Sequence, residues 1–120
     1  MIPTSSATYA ERGRADGTAI ELEGGGRLVA AGGHRGQVFA AVHPRAVALH
    51  RRVPEGTPRN VLAGTADTVD VVGDRVRVRV TGQVPIVAEV TPAAVGELHL
   101  ADGGPVWASV KATEVTVYPA

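Results

Sequence analysis

"VFAAVHPRAVALH" at residues 38–50 and "VWASVKATEVTVY" at residues 106–118 are one phrase written twice, 68 positions apart. Gly36, Val38, Phe39, Ala40, Val42, Val47 and Leu49 recur as Gly104, Val106, Trp107, Ala108, Val110, Val115 and Val117. Apolar residues alternate in both copies, the signature of strands with one buried face. A 68-residue shift preserves that alternation, so both copies present the same face to one core. The copies differ where His43 stands in the first and Lys111 in the second, and Lys111 is the only lysine among twelve basic residues.

Working outward from the repeat, the chain reads as β structure. "TAIELE", a glycine turn at Gly24–Gly26, "RLVAA", "GQVFAAV" and "AVALH" predict four short strands in a first half-module spanning 17–53. "PEGTPRN" at 54–60 is a loop by its prolines and glycine, and opens a second module spanning 54–120. There "VLAGTADTVDVV" and "RVRVRV" form a hairpin about Gly73 and Asp74, with Arg75, Arg77 and Arg79 on the solvent face. "VPIVAEV", "VWASVKA" and "EVTVY" supply the remaining strands. Residues 1–16 lack periodicity and are expected to be a tail or linker remnant. The fold class expected is all-β, a small OB-like barrel of two related half-modules.

One helix interrupts this pattern near residues 92–99. Thr91 stands where an N-cap belongs, Pro92 takes the first helical position, and Val95 and Leu98 are three apart. So short a helix forms only when packed, here through Val95, Leu98 and Leu100. The first copy has only "GGHR" at this point and no helix.

Composition narrows the function. Twelve basic and twelve acidic residues give zero formal net charge, which removes bulk attraction to nucleic acid or an acidic membrane. Four aromatics are too few for a stacking groove. There is no cysteine, so thiolate metal sites are excluded, and the spacing of His34, His43, His50 and His99 matches no zinc motif. "GGGRLVAAGG" lacks the Gly-Lys-Ser/Thr of a P-loop, and neither a nucleophile elbow nor paired carboxylates occur, so no enzyme is expected. No leader and no long apolar run are seen, and the expected location is cytoplasmic, without membrane insertion.

An anion is the remaining candidate ligand. Thr91 at a helix start, the ammonium of Lys111 with the Lys111 and Ala112 amides, and Arg59 and Asn60 on the loop entering the second module are the candidate donors. All of them belong to the second copy.

"TPRN" and "EVTPAAVGELHLADGGPVWASVKATEV" carry a resemblance to the molybdate- or tungstate-binding Mop domain, also called a molbindin or TOBE domain, over about residues 57–118. The specific parts are "SVKATEV" and the helix with its L-x-L-x-x-G. The whole chain resembles the C-terminal regulatory part of a molybdate ABC transporter ATP-binding subunit. The resemblance implies an OB-like barrel that binds molybdate or tungstate at subunit interfaces, with no other cofactor, through Arg59, Thr91, Lys111 and the backbone at Ala112. It also implies a homodimer or higher homo-oligomer, and an ABC ATPase domain as partner with a membrane permease beyond it. Thr57 keeps a hydroxyl of the family loop, Pro58 removes an N–H, and Ala94 replaces a second hydroxyl. Two other readings of the same chain are a ligand-free dimerisation or interaction module of an ABC ATP-binding subunit, and the accessory domain of a sugar or sulfate importer.

Overall fold

A computed structural model describes residues 9–56 and 60–120. Its strands are β1 (Tyr9–Leu22), β2 (Arg27–Val42), β3 (Ala48–His50), β4 (Asn60–Val72), β5 (Arg75–Thr81), β6 (Ile86–Val90), β7 (Gly104–Val110) and β8 (Val115–Pro119). A single α-helix, α1 (Pro92–Glu97), lies among them, with 3-10 turns at Pro44–Ala46, Leu100–Asp102 and Ala112–Glu114. The strands form two antiparallel sheets, ordered β1-β2-β8 and β3-β7-β4-β5-β6. The fold is mostly β, as the alternation implies, with two open sheets around one core rather than a closed ladder.

The doubled phrase becomes a reciprocal strand exchange. After β2, the first copy turns through Pro44–Ala46 and gives β3 to the second copy's β7, pairing Ala48 with Ser109, Leu49 with Ala108 and His50 with Trp107. After β7, the second copy turns through Ala112–Glu114 and gives β8 to β2, pairing Thr116 with Ala41, Val117 with Ala40 and Tyr118 with Phe39. Under the 68-residue shift these two registers are identical. Each half-module is therefore completed by the other's last strand, so the 17–53 and 54–120 modules are repeats in sequence but not separate folding units.

The correspondence extends through the rest of the chain. Gly13 pairs with Val38 as Gly64 pairs with Val106. A Cβ at Gly13 would lie 2.6 Å from the Glu21 carbonyl, and one at Gly64 would lie 2.8 Å from the Thr81 carbonyl and 2.5 Å from Val80 Cγ1. At Gly13 the far end of β1 folds back over the strand's own start, at Gly64 the end of β5 crosses β4, and no other residue type fits at either without backbone movement. It follows that Ile20 and Leu28, which pair, correspond to Val80 and Ile86, which pair likewise. Ala30 and Ala88, two residues further on, are both fully buried. Ile20, Leu28, Val38, Val42, Val78, Val80, Val106, Val110 and Leu100 contribute to one contiguous core.

Two expectations are corrected. Residues 9–16, read as tail, form the first part of β1, where Ala10 through Asp16 pair with Ala41 through Arg35 and Ala15 is buried. The polar residues of this stretch are tolerated because β1 is the outer strand of its sheet, so one of its faces and one edge meet solvent. "RLVAA" and "GQVFAAV" are one strand, β2, because Gly32 and Gly36, both at positive φ, let the chain bend through a register shift at residues 30–33 and resume pairing with β1 at His34. The helix, in contrast, forms as read. The Thr91 hydroxyl accepts from the Ala94 amide at 3.2 Å, Pro92 opens the first turn, and Leu98 and Val95 pack on the core beside buried Leu100. Among the described residues no helix is long and apolar enough to cross a membrane.

Asn60, at the first position of β4, ties the two sheets together. Its Oδ1 accepts from the Val29 amide at 2.7 Å, and its Nδ2 donates to the Val29 carbonyl at 2.8 Å and the Val110 carbonyl at 3.2 Å. The side chain thus pairs with β2 as a strand backbone would, while also holding the end of β7. Asn60→Ala is expected to leave the Val29 groups without their side-chain partner and lower stability by about 1–3 kcal/mol. Urea denaturation followed by Trp107 fluorescence measures this, and an unchanged midpoint would show that the tie contributes nothing.

Candidate functional site

Lys111 follows directly on β7 and starts the 3-10 turn Ala112–Glu114, with its carbonyl accepting from the Glu114 amide at 2.9 Å. β7 pairs on both edges, with β3 and β4, so the backbone from which Lys111 projects is fixed on both sides. The side chain is exposed and borders two concavities.

The larger, about 590 Å³, is shared by both copies and brings His43 and Lys111, the pair distinguished in the repeat, onto one surface. Its charged lining is balanced, with Arg45 and Lys111 against Glu55 and Glu114. His50 and Ser109 line its wall and share a 2.8 Å hydrogen bond. The smaller, about 490 Å³, is bordered by Thr18, Val29, Ala30, Ala31, Ala112 and Thr113 together with Lys111. Among the described residues Lys111 is the one charged member of that lining, and two hydroxyls accompany it. An anion entering the first meets two carboxylates, and one entering the second meets a single ammonium and neutral donors. Electrostatics therefore favours the smaller concavity as the anion-accepting face of Lys111.

The sequence-derived candidates are distributed as follows. Lys111 and Ala112 stand together at this concavity. Asn60 does not reach it with a free donor, since its side chain is buried and engaged with Val29 and Val110, although Val29 itself forms part of the wall. Thr91 lines neither concavity, and its hydroxyl accepts from the Ala94 amide. Arg59, with Thr57 and Pro58, lies outside the described residues.

At His43 the other copy is built differently. His43 Nδ1 accepts from the Arg45 amide at 3.1 Å, and Pro44 has no N–H where the second copy has Ala112. Lys111 makes no such capping bond. Equivalent backbones thus carry a capped, proline-blocked turn in one copy and an open one in the other.

Sequence reasoning passed over Arg51, the residue after β3. Its Nε donates to the Leu98 carbonyl at 2.6 Å, Nη1 to Pro105 at 2.8 Å, and Nη2 to His99 at 2.9 Å and Gly103 at 3.4 Å. One guanidinium gathers the carbonyls between α1 and β7, including that of His99, which is held at φ 53°. The repeat carries a signal in retrospect: Arg51 falls on Pro119 of the second copy, whose exchanged strand joins the first copy, where there is no helix to fasten.

The matching family model is the TOBE domain, over residues 56–117, and the chain belongs to that family. The TOBE domain is a non-catalytic binding domain. Among curated proteins it is similar to the molybdenum import ATP-binding protein ModC of two Mycobacterium tuberculosis strains, CDC 1551 / Oshkosh and ATCC 25618 / H37Rv. Each is 41% identical over 88 residues, covering 70% of this chain and 24% of ModC. The chain thus spans about a quarter of the length of those relatives. Among solved structures it is similar to the cytoplasmic molybdate-binding protein ModG, in a form with molybdate bound, at TM-score 0.82 and 26% identity over 98% of this chain and all of that one.

Arg51→Ala is expected to loosen residues 98–103 without unfolding the barrel strands. Hydrogen exchange of the Leu98, Asp102 and Gly103 amides should accelerate at least about tenfold, the scale of one lost charged hydrogen bond. Arg51→Lys, which has no planar fork, should recover little of the protection.

Proposed function

We propose that the chain is a cytoplasmic oxyanion-binding regulatory domain that takes molybdate or tungstate at Lys111 and reports occupancy to an ABC importer ATPase. The observation that carries this reading is the concavity of Thr18, Ala112, Thr113 and Lys111, in which one ammonium is the only charge among the described residues. A tetrahedral dianion suits such a place, because rotatable N–H and O–H donors converge on it and no carboxylate of the lining repels it. Similarity to ModG and to the C-terminal quarter's worth of ModC sequence supports the choice of molybdate as ligand.

Thr91 and Arg59 complete the donor set in this reading, with Thr91 supplied by a second copy of the chain. A threonine hydroxyl that accepts from Ala94 still has its own proton to donate. A site divided between copies makes the functional unit a homodimer or larger, and makes occupancy and assembly reciprocal. The partner ATPase and, through it, the permease are the elements that would read the change.

A ligand-free interaction module is the competing reading, favoured by the tip of the β4–β5 hairpin. Val71 is 77% exposed there and Val72 48%, an apolar end on a projecting arm.

Calorimetric titration with molybdate, with sulfate as control and light scattering before and after, separates the two. The expected result is saturable heat with molybdate. Heat with neither anion, in an oligomer that does not change, would leave the interaction module. Lys111→Ala should weaken molybdate binding by about 1.5–3 kcal/mol with the fold intact, and His43→Ala should leave it unchanged. A comparable loss at His43 would place the anion in the shared concavity instead.

A further inference from the structure

The repeat supplies a second place equivalent to the Lys111 concavity, and its contents differ. Since Leu28 corresponds to Ile86 and Ala30 to Ala88, Ala31 corresponds to Glu89. Thr113, in the turn after β7, corresponds to Arg45 in the turn after β2. Arg77, opposite Glu89, has no such counterpart by register, because β1 shifts register between Gly17 and Ala19 and pairs Gly17 with His34. The small residues Ala31 and Thr113 of the open half are therefore Glu89 and Arg45 in the other, where Arg77 joins them.

These three residues form one ion cluster. Glu89 Oε1 lies 3.5 Å from Arg45 Nε and Glu89 Oε2 lies 3.8 Å from Arg77 Nε, with Arg77 directly opposite Glu89 across the β5–β6 ladder. The Glu89 side chain is only 8% exposed and that of Arg77 25%. This departs from the reading of Arg75, Arg77 and Arg79 as a uniform solvent face, because the middle arginine turns to the carboxylate. A carboxylate so buried is stable only with its counter-charges, and two guanidinium groups supply more positive charge than it needs.

We propose that Glu89 is a built-in anion: its carboxylate occupies, between Arg45 and Arg77, the place that the Lys111 half leaves open for an oxyanion, so the chain takes one oxyanion and not two. The reasoning is chemical equivalence. Carboxylate and tetrahedral oxyanion are both recognised by guanidinium groups through charge-assisted N–H···O bonds. With its carboxylate tethered to the neighbouring strand, the Glu89 place is saturated at any external concentration. Removal of that carboxylate takes away the counter-charge at the partly buried Arg77 and the exposed Arg45, which a soluble anion then supplies. The Lys111 half of this inference rests on the function proposed above, and the Glu89 half does not.

Equilibrium dialysis of molybdate against four proteins tests both halves separately: the unaltered chain, Lys111→Ala, Glu89→Ala and the double variant. At a molybdate concentration that just saturates the unaltered chain, one anion per chain is expected for the first, well under half of one for Lys111→Ala, two for Glu89→Ala and about one for the double variant. Half or more of the original occupancy in Lys111→Ala at that concentration would overturn the proposal, and needs no Glu89 variant. A folded double variant that binds nothing would overturn it as well. If the unaltered chain binds nothing while the double variant binds one anion, the Lys111 reading fails and the Glu89 assignment stands. Glu89→Gln, which keeps the shape and removes the charge, carries the same test if Glu89→Ala does not fold by circular dichroism.

Discussion

Everything in this fold depends on the exchange of last strands between two copies of one supersecondary unit. β3 belongs to the first copy by sequence and to the second by hydrogen bonding, and β8 is the reverse. Neither copy can present a finished sheet alone, because the first would expose an unpaired edge on β2 and the second on β7. The exchange also explains why the two apolar faces stay in register over 68 residues. A one-residue slip in either copy would turn Leu49 or Val117 outward and at once break the other copy's sheet. Asn60 adds a polar lock at the seam, where its amide group pairs with Val29 of β2 and Val110 of β7.

Such a scaffold keeps the backbone constant and lets the side chains diverge. Gly13 and Gly64 are kept in both copies because close strand crossings allow nothing larger. Positions at the rim are not so constrained, and there the copies separate into opposite chemistries. Around Lys111 small residues leave space and a single positive charge. At the corresponding rim, Arg45, Glu89 and Arg77 fill the space and balance their own charge. The helix insertion follows the same division: α1 occurs only between β6 and β7, and the guanidinium that fastens the segment behind it, Arg51, comes from the exchanged end of the other copy.

Strand faces, the hairpin at Gly73 and the Thr91–Pro92 helix start were legible in the sequence because each is set by local periodicity or local capping. Lys111 stood out for a related reason, as a change of chemistry inside a repeated phrase. Partner identity was not legible. Alternation tells which face of β3 is buried and says nothing of which strand lies beside it. The polar start of β1 was missed because an outer strand needs backbone pairing more than apolar side chains, and the "GGHRG" stretch because glycines at positive φ can bend a paired strand without ending it. Arg51 and Glu89 act over 47 to 54 and 44 residues of sequence respectively, so no window along the chain shows their partners. Asn60 was singled out correctly as a special polar residue in the wrong office, since burial of its amide marks a structural tie.

The position of Lys111 within this arrangement bears on how occupancy of the site is transmitted. The residue before it, Val110, has its carbonyl held by Asn60, and one before that, Ser109, is bonded to His50 of the exchanged strand β3. The turn after it leads within four residues into β8, the other exchanged strand. An anion that orders the 111–114 turn therefore acts at the point where both exchanged strands and the inter-sheet tie converge. Such an anion can shift an interface only as far as it binds one arrangement of that seam better than another. Balanced charge elsewhere makes this the more effective: with Glu89 already satisfied between Arg45 and Arg77, a new anion has one place to act, and its effect is not divided between two.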